Sequence, residues 1–199
     1  MKKILFVLIL MCALITTAYG YSQNIMNELD NKIVRLHILA HSNDEYDQAV
    51  KLWVRNEILN AVNDTDIKDT DKFLKCAEER ANKYLTENNI PYRAHAEYGM
   101  FYFPRKTYGS ISLPAGKYYG VRVLLGSGEG ENWWCIMYPP LCVTDDGNVN
   151  AGEKTDMELN RMLNSEAYDL ISGSSKDVQI KFRTVEIINK LKSHFGLFP

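Results

Sequence analysis

Beyond its first twenty residues, the 199-residue chain lacks a long apolar run, and it has no excess of basic side chains. Lysine and arginine total 23 against 25 acidic residues, so the formal net charge is −2. Non-specific nucleic-acid binding depends on a basic patch, and this balance predicts no nucleic-acid partner. A membrane-spanning helix needs roughly 17–25 apolar residues, which no later segment supplies. The length is sufficient for one domain with a sizeable core.

Recognisable catalytic and metal-binding motifs are also missing. His37 and His41 are four residues apart, but they fall on a predicted strand and at its end, whereas the zinc motif with this spacing requires a helix. No Gly-x-Ser-x-Gly nucleophile elbow occurs. The glycine-rich stretch 126–132 carries Glu129 and Glu131, which would repel a phosphate, and no helix follows it. The sequence predicts no enzyme, no cofactor and no small-molecule substrate; a hydrolase with unrecognised histidine and acidic residues is an alternative.

The first twenty residues have the features of a secretory signal. Two lysines precede an apolar run from Ile4 to Ile15, and Ala18 and Gly20 form a small-residue cleavage site. Extended to Gly20, the run just reaches the lower length limit of a membrane span, so an uncleaved anchor is the alternative. Removal of residues 1–20 takes away two lysines and leaves 21 basic and 25 acidic side chains, a net charge of −4. We predict an exported domain preceded by a mobile linker over 21–32.

Helical and period-two patterns alternate along the remaining chain, and together they predict an α+β fold. An antiparallel sheet with flanking helices accounts for the order of strand, two helices, several strands and C-terminal helix. The predicted elements are a strand over 32–40, a helix over 41–63 with a capping box of Ser42 and Glu45, a helix from Thr70 to 88–91, strands over 92–103 and 111–125 with a turn at 114–116, a hairpin loop over 126–132, a returning strand over 133–138, a short helix over 157–171 and an amphipathic helix over 178–195.

Three cysteines follow the leader. Cys76 lies beside the apolar stripe of its helix, which is typical of a buried thiol, although a lone reactive thiol is the alternative. Cys135 and Cys142 are separated by six residues, which fits neither a Cys-x-x-Cys redox site nor a zinc site with two ligand pairs. A disulfide between them would close an eight-residue loop and contribute roughly 2.5 kcal/mol of stability.

The segment from Trp133 to Leu141 concentrates aromatic residues and prolines. On a strand, Trp133 and Trp134 point to opposite faces, so either one is core and the other exposed, or both are buried in a two-sided sheet. An exposed tryptophan on a stiffened hairpin would form a protein-binding surface. The predicted partner-binding residues are Trp133, Trp134, Tyr138, Pro139, Pro140 and Leu141.

Two blocks of the chain resemble the stage II sporulation protein R family. In RLHILAHSNDEYDQAVKLWVRNEI the matching positions include Arg35, Ser42, Asp47, Gln48, Lys51 and Arg55. His41, Asn43 and Asn56 depart from the residues that the family usually has there. In FPRKTYGSISLPAGKYYGVRVLLGSGEGENWWCIMYPPLC the matches include Lys106, Tyr108, the three glycines 126, 128 and 130, Asn132 and the whole of Trp-Trp-Cys and Pro-Pro-Leu-Cys. The likeness spans residues 33–143, and 144–199 form a C-terminal segment on the same domain.

The resemblance implies a role in signalling. Members of this family are made in the forespore and exported into the space between the forespore and mother-cell membranes. There they trigger a membrane-embedded aspartic protease, which processes the precursor of a sporulation sigma factor. That protease would be the partner. An exported carbohydrate- or cell-wall-binding module, with Trp133 or Trp134 as its stacking platform, is the alternative function.

The leader generates the first testable prediction. Mass spectrometry of the exported protein should find an N-terminus near Tyr21, because the small residues at 18 and 20 satisfy signal peptidase. Recovery of a full-length species extracted from membranes would instead identify residues 1–20 as an anchor.

Overall fold

The computed structural model describes residues 2–64, 69–139 and 150–172. The described elements form an α+β fold, as predicted. In chain order they are α1 (Lys2–Lys32), β1 (Val34–Leu39), α2 (Glu45–Asp64), α3 (Thr70–Glu87), β2 (Ala94–Phe103), β3 (Lys106–Tyr108), β4 (Ile111–Leu113), β5 (Gly116–Leu125), β6 (Asn132–Tyr138), α4 (Asn150–Met162) and α5 (Ser165–Ser172).

Four of the strands form one mixed sheet in the order β2-β5-β1-β6. Strand β1 pairs with β5 in parallel and with β6 antiparallel. The predicted hairpin of β5 and β6 is therefore wrong, because β1 is inserted between the two strands, and the predicted antiparallel sheet contains one parallel pair, β1 with β5. The four middle residues of β1 are buried on both faces, a pattern that is typical of a strand in the middle of a sheet that is covered on both faces.

Strands β3 and β4 form a separate two-stranded antiparallel sheet, in which Lys106 is opposite Leu113 and Tyr108 is opposite Ile111. The predicted turn at 114–116 therefore connects two strands, β4 and β5, that belong to different sheets. Lys106 and Tyr108, which match the family pattern, lie on the short β3.

The larger core lies between one face of the four-stranded sheet and helices α2 and α3. Alternate residues of the central strands contribute Leu36, Ile38, Val121 and Val123, which are fully buried. The two helices supply the opposite side of the core with Val50, Val54, Ile58, Phe73, Ala77, Ala81 and Leu85. Cys76 is a free thiol, partly buried against this core. Apolar side chains that recur about every 3.6 residues in the helices and every 2 residues in the strands thus form one continuous apolar layer.

Two local signals set the ends of the helices. Helix α3 begins after Asp69, whose carboxylate accepts a hydrogen bond from the Lys72 N–H at 3.3 Å, and it ends before Asn89 with φ of 55°. Helix α2 begins at Glu45 rather than with the predicted capping box, and the carbonyl of Asp44 accepts its first helical bond from Gln48. Ser42 is therefore outside the helix.

The chain divides into two compact units, of which the second comprises residues 33–101 and 117–158. The first unit comprises residues 1–32, 102–116 and 159–199. Residues 21–32 were predicted to be a linker, but they continue α1, and Ile25, Met26 and Leu29 are buried. Their spacing of one, three and four residues follows one helical face, which explains the burial.

The N-terminal part of α1 is different, because its large apolar side chains from Ile4 to Ile15 are all exposed. By length and composition this helix could cross a membrane, a property that a signal sequence at the N-terminus shares. At the other end of α1, the Glu28 carboxylate accepts hydrogen bonds from Lys32 at 2.7 Å and from the Asn164 N–H at 3.0 Å.

The predicted short helix over 157–171 is two helices in the structure. Helix α5 begins after Asn164, whose side-chain oxygen accepts a hydrogen bond from the Ala167 N–H at 2.8 Å. The predicted amphipathic helix over 178–195 lies outside the described residues.

Candidate functional site

Two loops meet at the carboxyl ends of the parallel strands β1 and β5. The Gly130 N–H donates to the carbonyl of Ala40 at 2.9 Å, and the Glu129 N–H donates to the carbonyl of His41 at 3.3 Å. The side chain of Asn43 accepts the Glu131 N–H at 2.8 Å. We call residues 40–51 and 126–132 the two-loop cluster. It contains eight of the positions named above as matching the family pattern, which are Ser42, Asp47, Gln48, Lys51, the glycines 126, 128 and 130, and Asn132.

A buried carboxylate holds the first loop in shape. Asp47 accepts hydrogen bonds from the Ser42 hydroxyl at 2.6 Å and from the Tyr92 hydroxyl at 2.8 Å. Burial alone would raise the pKa of Asp47, but these two hydrogen bonds and the nearby His41 leave it below its ordinary value. Burial, together with the hydrogen bond to Asp47, raises the pKa of Tyr92. Asp47 is therefore a structural acceptor that stays ionised at neutral pH.

A buried lysine connects the two loops. The Lys51 ammonium donates to Gln48 Oε1 at 2.5 Å and to the carbonyl of Glu131 at 3.0 Å. Gln48 in turn donates from Nε2 to the carbonyl of Ser42 at 2.8 Å. Burial lowers the pKa of Lys51, Glu131 opposes this shift and Arg55 adds to it. This chain of contacts joins Ser42, Gln48 and Lys51, three of the positions that match the family pattern.

The glycines of the second loop allow it to pack closely against residues 41 and 42 of the first loop. A Cβ atom on Gly130 would lie 2.2 Å from the carbonyl oxygen of Ser42. Gly126 has φ of +56°, and a Cβ there would lie 2.3 Å from Nδ1 of His41. The sequence predicted a flexible hairpin connection at 126–132, whereas the structure packs this loop tightly on residues 40–42.

The two tryptophans of β6 lie on opposite faces of the sheet, and both are half-buried. Trp133 packs against the core, and the guanidinium of Arg55 lies 5.3 Å from its ring centroid. Trp134 stacks on His37 with 4.8 Å between the ring centroids. Neither of the two predicted alternatives is reproduced, because each ring is covered in part by a neighbouring side chain.

The sheet face that carries Trp134 also carries a row of charged and aromatic side chains. Arg35 is fully buried, with its guanidinium carbon 5.0 Å from the Tyr118 ring centroid. Arg122 lies 4.5 Å from the Phe101 ring centroid and forms an ion pair with Glu97. Burial and the positive charges of Arg122 and Arg35 lower the pKa of His37 to about 4. His37 is consequently neutral at pH 7.

The remaining predicted site residues lie at the end of β6. Tyr138 is half-buried and Pro139 is buried. Cys135 is buried and disulfide-bonded. Its predicted partner Cys142, together with Pro140 and Leu141, lies outside the described residues, so the Cys135–Cys142 pairing stays a prediction.

The cluster contains one serine–histidine contact, but its geometry does not suit nucleophilic catalysis. The backbone N–H of Ser127 donates to His41 Nδ1 at 3.0 Å, so this nitrogen is already occupied as an acceptor. The Ser127 hydroxyl donates to the carbonyl of His41 at 2.8 Å. A general base needs a free lone pair directed at the nucleophile's proton. Among residues 2–64, 69–139 and 150–172, no group of three or more His, Cys, Asp or Glu side chains could hold a metal.

Sequence reasoning missed several residues that hold the two-loop cluster together. Tyr92 and Asn43 were not identified, although their side chains fix the loops. Tyr92 lies 45 residues from Asp47 in the chain, so no local pattern could connect them. His41, which stacks on Tyr92 with centroids 4.5 Å apart, was considered only as a metal ligand and as a departure from the family pattern.

The structure therefore defines an α+β domain in which two interlocked loops meet at the carboxyl ends of β1 and β5. The family model described as stage II sporulation protein R (spore_II_R) matches residues 30–148, and the chain belongs to this family. It is similar to the stage II sporulation protein R of Bacillus subtilis (strain 168), with 27% identity over 194 residues that cover 86% of this chain and 87% of the relative. No solved structure matches the chain significantly.

The packing of Gly130 predicts the effect of adding one methyl group. Gly130→Ala should lower the free energy of unfolding by about 1–3 kcal/mol, because the backbone carbonyl of Ser42 cannot move away without breaking the loop contacts. Chemical denaturation measures this effect. The neighbouring Glu129→Ala, at an exposed position, should change it by less than about 0.5 kcal/mol. Equal effects would show that the second loop is not packed as described.

The burial of His37 predicts a dependence of stability on pH. Since its folded-state pKa of about 4 lies below the ordinary 6.5, the unfolded chain binds a proton in this interval and the native protein does not. The free energy of unfolding should therefore fall as the pH decreases from 6.5 to 4, by up to about 1.4 kcal/mol per pH unit from this residue. His37→Phe retains a ring for stacking on Trp134 and should remove that contribution. If the free energy of unfolding depended on pH in the same way in the parent and in His37→Phe, His37 would not be the residue responsible.

Proposed function

We propose that the chain is an exported signalling protein of endospore formation. It acts in the space between the forespore and mother-cell membranes, where it triggers a membrane-embedded aspartic protease to process a sporulation sigma-factor precursor. Its membership of the stage II sporulation protein R family carries this proposal. The protein activates its partner by binding, without catalysing a reaction and without a cofactor.

Two observations on the chain support an exported, binding role. The exposed apolar part of α1 is consistent with a secretion signal. The interlocked loops give the domain a rigid surface at the carboxyl ends of β1 and β5, and a rigid surface loses little conformational entropy on docking.

The wall-binding alternative depends on a freely accessible tryptophan. Trp133 instead contacts Arg55 and the core, while Trp134 is stacked on His37. Carbohydrate stacking requires an open aromatic face, so these contacts favour the signalling function over the alternative.

Reconstitution in a host that does not form spores tests the proposal. The protease and the sigma-factor precursor are produced together with the chain, and immunoblotting measures the processed fraction. Processing should require the exported chain, and deletion of residues 1–20 should abolish it by retaining the chain inside the cell.

Histidine variants distinguish signalling from catalysis. His95→Ala alters an exposed side chain and His37→Phe retains the stacking ring, so both should leave processing within about twofold of the parent. Processing without the chain, or a folded histidine variant that loses both activity and a bound metal, would overturn the proposed mode of action.

A further inference from the structure

His41 holds the second loop through a ring nitrogen that can also bind a proton. Its Nδ1 accepts a hydrogen bond from the backbone N–H of Ser127 at 3.0 Å. In a neutral imidazole one ring nitrogen is an acceptor and the other carries the hydrogen. The contact with Ser127 therefore requires the neutral form of His41 that carries its hydrogen on Nε2.

The next proton must bind at the same nitrogen that holds Ser127. Because Nε2 already carries a hydrogen, Nδ1 is where His41 takes up its second proton. An Nδ1–H group is a donor, and it would face the Ser127 N–H, which is also a donor. The hydrogen bond between the two loops is consequently incompatible with a protonated His41.

The imidazole ring has no room to turn away from this conflict. It stacks on Tyr92 with 4.5 Å between the ring centroids. On the other side Gly126 packs so closely that a Cβ there would lie 2.3 Å from Nδ1. A rotation of the ring by half a turn would place a carbon, Cδ2, opposite the Ser127 N–H, and that carbon is not an acceptor. The second loop must therefore move when His41 becomes protonated.

The backbone contacts restrict this movement to one short stretch of the second loop. Gly126 has φ of 56°, and a glycine has the conformational freedom to reorient the peptide that joins it to Ser127. The Gly126 N–H is bound to the carbonyl of Arg93 at 2.9 Å. Further along, the Gly130 N–H is bound to the carbonyl of Ala40 at 2.9 Å. Neither bond involves the imidazole ring, so the peptides between these two fixed points are the ones that move.

A protonated His41 finds a new acceptor within the same contact. The Ser127 hydroxyl oxygen lies 3.2 Å from Nδ1, and the hydroxyl donates its own hydrogen to the carbonyl of His41 at 2.8 Å. This oxygen can accept the Nδ1–H once the backbone N–H has turned away. The two protonation states of His41 thus correspond to two hydrogen-bond arrangements of Ser127.

The groups around the ring identify His41 as the one that gains the proton. From α2, the Asp47 carboxylate interacts electrostatically with His41, and the pKa of Asp47 lies below its ordinary value. Before β2, burial and the hydrogen bond to Asp47 raise the pKa of Tyr92. Neither group therefore changes its charge between about pH 5 and pH 8, the interval in which histidine titrates. The chain next to the contact also carries exposed charged side chains, those of Asp44, Arg93 and Glu129.

We infer that His41 is a pH-sensitive switch between the two loops. The neutral imidazole binds the Ser127 N–H and keeps the second loop in its packed form, and protonation releases residues 126–128 while Gly130 stays bound. The contact is complete at about pH 8 and is lost as the pH falls toward about 5. The surface at the carboxyl ends of β1 and β5 is therefore fully rigid only while His41 is neutral. This inference concerns the chain itself and does not depend on the proposed function.

NMR spectroscopy of the purified, isotopically labelled exported protein tests the switch directly. A hydrogen bond from an N–H to a ring nitrogen transmits a scalar coupling between the two nitrogen nuclei. The coupling between the Ser127 amide nitrogen and His41 Nδ1 should be present at about pH 8 and absent at about pH 5. A coupling that is absent at both pH values, or unchanged between them, would overturn the inference.

Amide hydrogen exchange measures how far the release extends. After correction for the pH dependence of the intrinsic exchange rate, the protection of the Ser127 N–H should fall roughly twofold to tenfold from about pH 8 to about pH 5, as expected for the loss of one hydrogen bond. The Gly130 N–H, which is bound to Ala40, should keep its protection. An equal loss at both amides would mean that acid opens the whole loop, which contradicts a switch at His41.

A matched substitution assigns the effect to the imidazole ring. His41→Asn places an amide oxygen close to the position of Nδ1, and this oxygen accepts a hydrogen bond but does not titrate. The protection of Ser127 should then be equal at both pH values, whereas His95→Asn, at an exposed position on β2, should behave like the parent. The same pH dependence in the parent and in His41→Asn would assign the effect to another group and overturn the inference. If His41→Asn does not fold, the coupling in the parent decides.

Discussion

The ammonium group of Lys51 is buried between the two loops, where it donates to Gln48 and to the carbonyl of Glu131. A buried cation is very unfavourable unless hydrogen-bond acceptors stay in place around it. The second loop must therefore hold the Glu131 carbonyl at one position, immediately before β6 begins. The register of β6 against β1 follows from this position, with Asn132 opposite Leu39 and Trp134 opposite His37.

That register decides which face each tryptophan occupies. A shift of one residue would exchange the faces of every side chain in β6. Trp133 would then leave the core and Arg55, and Trp134 would leave His37. The lysine, the glycines of the second loop and the tryptophans are thus parts of one constraint, although they are far apart in the chain.

The helices of the larger core were predictable, because each has a clear apolar face and, in α3, a capping residue. The strand order was not. Consecutive strands usually pair, so β5 and β6 were expected to form a hairpin. Arg35 and His37 are polar, so the sequence of β1 did not indicate that both of its faces are buried. A glycine in a loop can provide flexibility, or it can leave room for a neighbouring group. Only the position of the Ser42 carbonyl shows that Gly130 leaves room for a neighbour. Residues 21–32 carried a usable signal in Ile25, Met26 and Leu29, but the polar residues among them suggested a linker.

Helix α1 has a consequence for the timing of folding. Its buried residues near position 25 belong to a unit completed by residues 102–116 and by α5, which begins at Ser165. A chain that crosses a membrane from its N-terminus delivers these partners last. This unit therefore cannot close until more than 160 residues have been translocated, whereas every residue of the second unit has emerged by residue 158.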